Sequence, residues 1–461
     1  MLVRDLKRLA LIVGPIFFIV LISLTVWGTQ PDSYLRGHVD SLLGKTSSSG
    51  SAAADDVDAP LDDPVSNSTA HAGNELTPAN PLSGDIGNGT HHEIFSISTP
   101  DRKYFEIKFG DKKSFNPNVI PHPIHPDTWI MVSQAVNGPE KDPVPQSHVF
   151  NYEISCNAAF IDGKLQCLDL PNILPVSATS GENCKDDLVF LSFNVGPHDA
   201  RVFYGPKTPY IVYGSNSAFT CFSQWIQDFR VLVDWGFELF TQEDFRVGKE
   251  MQRPGSYSLV EKNWFVFWDG DNQMYVHHDV VPSRKFAKLG VDGSVGKDLG
   301  PLAAETDNKC IARYFPKLPE KLESIHQATN SLRITMCKRA DPACKPDDSN
   351  TFIFTIFQHK TFYDFHSEYD PYVMVFRQSA PFEMYGVSQK PFWIHGRKRI
   401  NEKRTDMMYV TSMSWKMRGL KYHGYLDDTV ILSFGVEDKT CGGIDVLAGD
   451  LLMGLGLCST P

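Results

Sequence analysis

The sequence predicts an all-β domain carried behind an N-terminal apolar anchor and a polar stem. Two observations predict the β class. Short runs of aromatic and β-branched residues recur through the chain, separated by Gly, Pro, Asp and Asn turns. Helical periodicity is scarce, and strands do not alternate with long helices, which disfavours a doubly wound nucleotide-binding sheet. A third observation sets the topology. Leu9 to Trp27 is one unbroken run of apolar and small residues preceded by Arg4, Lys7 and Arg8.

Taken in order, residues 1–8 read as a cytosolic tail and 9–28 as a transmembrane signal anchor. As a helix rising about 1.5 Å per residue, the apolar run just spans a hydrocarbon core of roughly 30 Å. The preceding cations keep the short N-terminus inside, so the rest lies in a lumen or outside the cell. Residues 29–92 are rich in Ser, Asp, Pro, Gly, Ala and Asn. They cannot bury enough apolar area to offset ordering entropy, and read as a flexible stem. Two glycosylation sequons fall in it, at Asn67 and Asn88. Anchor, stem and a large luminal domain over 93–461 are the plan of a single-pass type II Golgi membrane enzyme that processes glycans. A tethered adhesin or receptor shares that plan.

The formal net charge is −11, and no basic stripe points to nucleic acid. Nine cysteines all follow the stem. In a luminal compartment several should pair, with Cys156–Cys167 and Cys337–Cys344 as plausible partners. The odd count leaves at least one thiol over, and the spacings match no zinc site.

Expected strands include Leu188 to Phe193, Val202 to Tyr204, Tyr210 to Tyr213, Trp264 to Trp268, Met274 to His277 and Leu332 to Met336. Phe352 to Phe357, Tyr372 to Phe376, Met408 to Ser412 and Val430 to Phe434 follow. One short helix is expected between Ala303 and Asn330, over Glu320 to Gln327. Several strands carry polar residues at one end only. That recurrence is what the blades of a propeller would give, each a four-stranded antiparallel meander whose inner strand brings polar side chains to a central channel. An irregular β-sandwich is the alternative.

Three clusters could carry chemistry. His198-Asp199-Ala200-Arg201 sets an acid beside a fixed cation just before a strand; Asp199 would serve as general acid or base, and Arg201 would tune it or bind phosphate. The plainer reading is a loop ion pair. Glu261-Lys262-Asn263-Trp264 sets charges and an amide against an aromatic run, as sugar sites do, with Glu261 a second catalytic carboxylate; the plainer reading is a solvated strand start. On the returning strand, one of His277 and His278 should face inward, and His278 is taken as substrate-binding. Tyr422-His423-Gly424, with Asp427 and Asp428, is the third cluster, its glycine permitting close backbone approach. Asp269-Gly270-Asp271 has the form of a metal and nucleotide-sugar motif, but Asn272-Gln273 after it makes a hairpin turn the better reading.

At these residues the chain resembles a known group. Asp199 and Arg201, ahead of an aromatic strand and Tyr213-Gly214, resemble the Glu-Asp-Pro-Arg first strand of five-bladed propeller β-mannoside phosphorylases and their β-1,2-mannosyltransferase relatives. His198 and Ala200 stand where that group has Glu and Pro. Tyr422-His423-Gly424-Tyr425-Leu426-Asp427 resembles the Tyr-Tyr-Gly-Ala-Ala-Asp element of the last blade. Glu261-Lys262-Asn263-Trp264 resembles a motif of propeller-type glycosyltransferases. The resemblance implies a five-bladed β-propeller. It also implies inverting transfer of mannose with one carboxylate and no metal or other cofactor. A nucleotide-sugar donor and a glycan acceptor would be the partners. The anchor favours transferase over phosphorylase, since such donors are available in the Golgi lumen; the alternatives are a glycoside hydrolase or phosphorylase on the same scaffold and a non-catalytic glycan-binding propeller.

Overall fold

The computed structural model describes residues 84–85, 89–136, 149–177, 179, 182–235, 244–318, 322–401 and 404–458. The expected tail and anchor, most of the stem, and both sequon asparagines (Asn67 and Asn88) lie outside the described residues. Among the described residues no helix is long and apolar enough to cross a membrane.

Five antiparallel meanders follow one another along the chain. The first runs through Ser114–Pro121, Trp129–Ala135, Glu153–Ile161 and Lys164–Cys167. The second comprises His198–Tyr204, Pro209–Asn216, Phe222–Asp228 and Lys249–Glu250. The third has three strands, Phe265–Trp268, Met274–Asp279 and Lys285–Lys288. The fourth is Leu332–Thr335, Thr351–Tyr363, His366–Arg377 and Met384–Ser388. The fifth takes Met408–Trp415, Thr429–Val436 and Thr440–Leu447 from the C-terminal part, then adds Phe105–Lys108 from ahead of the first meander.

Neighbouring meanders pack face to face, and alternation along single strands shows it. Val202 and Tyr204 join Ile120, Ile130 and Val132 of the first meander, while Phe203 on the opposite face joins Val266 and Trp268 of the third. Phe265 and Phe267 point the other way, toward Ile353 and Phe376 of the fourth. The fourth and fifth share a core, and Ile431 of the fifth meets Phe105, Val119 and Met131. Every meander therefore buries both faces against a neighbour, and the strand from Phe105 closes the series on itself. This is a propeller-like all-β fold. It also explains why strands such as Phe265–Trp268 are apolar throughout rather than alternating.

Between meanders, side-chain amides bond to the backbone of a facing inner strand. Asn118 donates Nδ2 to Ala200 O (2.8 Å) and accepts Val202 N–H (3.0 Å). Asn330 does the same to Met413 O and N (3.0 and 2.9 Å), and Gln358 to Val410 O and N (3.3 and 3.1 Å). Each amide satisfies two buried backbone groups that would otherwise be orphaned. Asn330→Ala is accordingly expected to cost about 3 kcal/mol, read as a lowered denaturant midpoint. A loss under about 1 kcal/mol would mean that the pin is not needed.

Four disulfides form: Cys156–Cys167, Cys184–Cys221, Cys310–Cys458 and Cys337–Cys344. Two are the expected pairs, and Cys441 is the buried thiol left over. Two expectations of secondary structure are corrected. Leu188 to Phe193 lies in a 3-10 segment, Asp186–Phe193, in which no residue is buried. The helix lies at Gly300–Tyr314, and Glu323–Gln327 is instead a strand paired with the upper half of Thr351–Tyr363.

Candidate functional site

The inner strands of four meanders begin at the same end of the fold, at Ser114, His198, Phe265 and Met408. Their first residues form a polar mouth. Two of these strands bulge there, between Phe115 and Asn118 and between His198 and Arg201. A bulge re-aims the residues inside it. The bulged residues Asn116 and Asp199 both have left-handed backbones, with φ of 56° and 49°, and so do Asn263 (64°) and Asp438 (48°) at the same mouth. Asn and Asp tolerate that region best, and such conformations gather at functional sites.

Asp199 is exposed, and its carboxylate is oriented by Asn116 Nδ2 at 2.9 Å. Its backbone is held from below. Gln134 Oε1 accepts Asp199 N–H (3.0 Å) and Glu153 Oε1 accepts Ala200 N–H (3.1 Å). Glu153 is fully buried, and burial pushes its pKa up to about 8, with the charge of Asp199 adding to the rise and the Ala200 N–H and Arg201 opposing it. Arg201 is 3% exposed and fully committed. It donates Nε to Ala328 O (2.6 Å), Nη1 to Asp199 O (3.0 Å), and Nη2 to Asn263 Oδ1 (3.1 Å) and Tyr409 Oη (3.2 Å). A guanidinium with all three nitrogens engaged acts as a fixed strut and local positive charge.

Around this strut stand Tyr409 and Tyr369, with ring centroids 4.8 Å apart, and His326, whose edge meets Tyr369. Burial, then the charges of Lys262, Lys360 and Arg201, hold the His326 pKa down to about 4. It is therefore a neutral hydrogen-bonding group at ordinary pH. Lys360 lies over the Tyr369 ring at 5.7 Å, and its pKa is lowered by desolvation and by Lys262. Asp438 completes the mouth. Its pKa is raised by partial desolvation, then by the charges of Asp199 and Glu437, with Lys360 opposing.

Of the expected residues, Asp199, Arg201, Lys262 and Asn263 thus converge. The others do not. Trp264 is 1% exposed and packs edge-on against buried His278, so it offers no ring face to a sugar. Its strand is buried on both faces, which is why an aromatic run there signals core. His278 Nε2 is taken by Gln252 O (3.0 Å). Glu261 is a buried structural carboxylate: its Oε1 accepts from Arg253 Nη1 and Ser258 N–H, both at 2.6 Å.

The third cluster belongs to the opposite end of the inner strands. Tyr409 lies at the mouth, whereas Trp415, the last residue of the same strand, donates Nε1 to Tyr422 O (3.2 Å). Eight strand residues separate the two ends by about 23 Å. Tyr422 is buried on Ser331, His423 meets Thr335, and Gly424 makes room for the Trp415 ring, which a Cβ would approach to 2.5 Å. Asp427 accepts the Arg339 and Ala340 N–H groups, and Asp428 pairs with Arg339 at 2.7 Å. Both aspartates border a separate cavity of about 560 Å³ with Trp129 and Arg418. These residues close a turn and fill core; they do not meet Asp199.

Asp269 is a turn residue, accepting from Asp271 N–H, Gln273 N–H and Tyr275 Oη. Among the described residues no group of three or more His, Cys, Asp or Glu is arranged to hold a metal. Sequence reasoning missed Asn116, Glu153, His326, Lys360, Tyr369, Tyr409 and Asp438. The one local signal was Asn116-Pro117 interrupting an otherwise regular strand.

No family profile matches the chain, and no curated protein does. Among solved structures, it is similar to a putative glycoside hydrolase from Bacteroides ovatus at 10% identity and TM-score 0.38, over 82% of this chain and 99% of that one. It is similar to a GDP-Man-dependent mannosyltransferase from Leishmania mexicana at 10% identity and TM-score 0.34, over 74% and 89%. A thermostable family-43 glycoside hydrolase matches at 8% identity and TM-score 0.35, over 73% and 89%. At these levels the chain is assigned to no family.

Proposed function

We propose that the domain is a five-bladed β-propeller enzyme that makes or breaks a glycosidic bond at the mouth around Asp199. The observation that carries this reading is the Asp199 carboxylate, re-aimed by a bulge and oriented by Asn116 Nδ2, with Asp438 near enough that the charge of Asp199 helps to raise its pKa. Glycoside chemistry needs two such groups in different roles: one protonated to supply the leaving oxygen, one ionised to activate water or stabilise the sugar cation. Asp438 takes the first role and Asp199 the second. Asn263, Tyr409 and Tyr369 supply the amide and aromatic surface against which hydroxyls and a ring are placed. This reading is hydrolysis or phosphorolysis of a glycan.

A second reading, mannosyl transfer from a nucleotide sugar to a glycan with inversion, has its own support. Lys262 and Lys360 share the rim, and the charge of Lys262 helps to lower the Lys360 pKa. Two ammonium groups at one rim suit a diphosphate leaving group or inorganic phosphate.

The readings separate by product. The protein would be incubated with aryl and oligosaccharide β-mannosides, with and without phosphate, and with GDP-mannose plus mannose oligosaccharides. Phosphate-independent release of sugar identifies a hydrolase, and sugar phosphate a phosphorylase. Released GDP with an extended oligosaccharide identifies a transferase. For the bond-breaking reading, Asp438→Asn should slow ordinary glycosides by about 10²–10⁴-fold and spare aryl glycosides with acidic leaving groups, which need no protonation. Equal loss on both would remove Asp438 as the acid.

A further inference from the structure

The proposed chemistry makes no use of four polar side chains buried between the third and fourth meanders and the helix. Asp307, Arg284, His277 and Gln327 are between 0% and 6% exposed. They form one continuous line. Asp307 Oδ2 accepts from Arg284 Nη1 (3.0 Å), and its Oδ1 accepts Met384 N–H (2.7 Å). Arg284 donates Nε to His277 Nε2 (3.1 Å). His277 Nδ1 meets Gln327 Oε1. Gln327 Nε2 reaches the carbonyls of His278 (2.6 Å) and Asn263 (3.3 Å).

Each link dictates the next. Arginine can only donate, so His277 Nε2 must hold a lone pair. The proton is then on Nδ1, which agrees with a pKa driven well down by burial and by Arg284. An Nδ1–H facing Gln327 makes the near atom of that amide its oxygen. The amide nitrogen is thereby turned toward the two carbonyls. The orientation of Gln327 is thus fixed from both sides, by the His277 Nδ1–H on its oxygen and by the two carbonyls on its nitrogen. The ring that transmits it is clamped flat between Phe265 and Phe286, with centroids 4.6 and 5.9 Å distant.

The line ends at Asn263. That residue has a left-handed backbone and gives Oδ1 to Arg201 Nη2 and Tyr409 Oη (3.1 and 3.3 Å). Its Nδ2 has only a long contact, 3.4 Å to His326 Nδ1, and keeps donor capacity for a ligand. A fully buried ion pair seldom stabilises a fold relative to apolar groups of the same shape; fixing one geometry is its best-attested use. We propose that Gln327, oriented through His277 by the Arg284–Asp307 pair, is a positioning residue of the mouth. It holds the Asn263 peptide so that the side-chain oxygen braces Arg201 and the side-chain nitrogen faces the sugar. The bracing is a statement about the protein alone; the sugar rests on the function proposed above.

The test uses the purified full chain in detergent, labelled for ¹⁵N spectra of arginine Nε and histidine side chains. In the unaltered protein His277 should appear as the neutral Nδ1–H form without titrating between about pH 5 and 8. Arg201 Nε–H should exchange slowly. Gln327→Leu should shift that Arg201 resonance and speed its exchange at least about tenfold, with the unfolding midpoint near its original value. Gln327→Met keeps the length of the side chain without its amide and should move Arg201 equally; it decides the matter if the leucine variant fails to fold. On whichever glycoside or GDP-mannose reaction the protein performs, both variants should lower kcat about tenfold with KM within about twofold. An unchanged Arg201 resonance in a folded variant overturns the positioning role, as does a charged or Nε2–H His277. If the unaltered protein turns over none of these compounds, the proposed function fails while the spectra still decide the inference.

Discussion

Asp199→Asn is expected to lower turnover about a thousandfold while leaving the fold intact. Both halves follow from the same local geometry. Asparagine tolerates the left-handed backbone at this position as well as aspartate does. Its Oδ1 can accept Asn116 Nδ2 as the carboxylate does. The Gln134 and Glu153 contacts are to backbone N–H groups and do not sense the change. What disappears is the charge. Among the described residues no other carboxylate lies in the same bulge, and Asp438 is on a turn of the fifth meander. The measurement is kcat/KM of the variant beside its thermal unfolding midpoint. Activity within about threefold of the original protein would move the chemistry off Asp199. A collapsed midpoint would show instead that the bulge depends on the charge.

The fold was legible because its signal is local and repeated. Runs such as Tyr210 to Tyr213 and Phe352 to Phe357 read as strands whatever they pack against, and they are strands. The same property misled the site reading. A strand buried on both faces places aromatics at every position, so Trp264 looked like a sugar platform when it is core between two meanders. The helix Gly300–Tyr314 was missed because its buried positions are Gly300, Ala303, Asp307 and Cys310. Their spacing is helical, but small and polar residues there give no apolar stripe. Leu188 to Phe193 failed in the opposite sense. It is apolar and strand-like in composition, yet it follows Cys184, tied to Cys221, and runs as an exposed 3-10 segment.

Half of the mouth was legible for a related reason. Asp199 and Arg201 open a strand and Lys262 and Asn263 sit just ahead of one, where polar residues stand out against apolar runs. Tyr369 and Tyr409 lie inside strands, where a tyrosine is unremarked, and Lys360 and His326 enter only through a register that pairs Lys360 with Ser324 and His326 with Gln358. Convergence of separate meanders is a tertiary fact. It also undid the resemblance at Tyr422 to Asp427. A short motif can be locally alike, yet here it lies at the far end of the inner strands from the carboxylate it was expected to serve.

Glu153→Gln should stabilise the protein at alkaline pH and leave it nearly unchanged in acid. Glu153 is fully buried under the Asp199 bulge, its Oε2 has no hydrogen-bond partner among the described residues, and its pKa is raised from 4.5 to about 8. The folded state therefore holds the proton more tightly than the unfolded one. The stability this group contributes is fully present below about pH 4.5, declines as pH rises, and is lost above about pH 8. At about 1.4 kcal/mol per unit, the full span is on the order of 5 kcal/mol, an upper bound because the bulge can relax or admit water. Glutamine keeps the shape, accepts Ala200 N–H through its amide oxygen, and never ionises. Unfolding midpoints of the two proteins should coincide near pH 4 and diverge steadily to pH 9, the variant being higher. Parallel curves would mean that Glu153 ionises freely in the folded state and that water reaches it. The divergence would matter for the mouth as well. Ionised Glu153 sets a second negative charge directly beneath Asp199, so the original protein should lose activity above about pH 8 in a limb that the variant lacks.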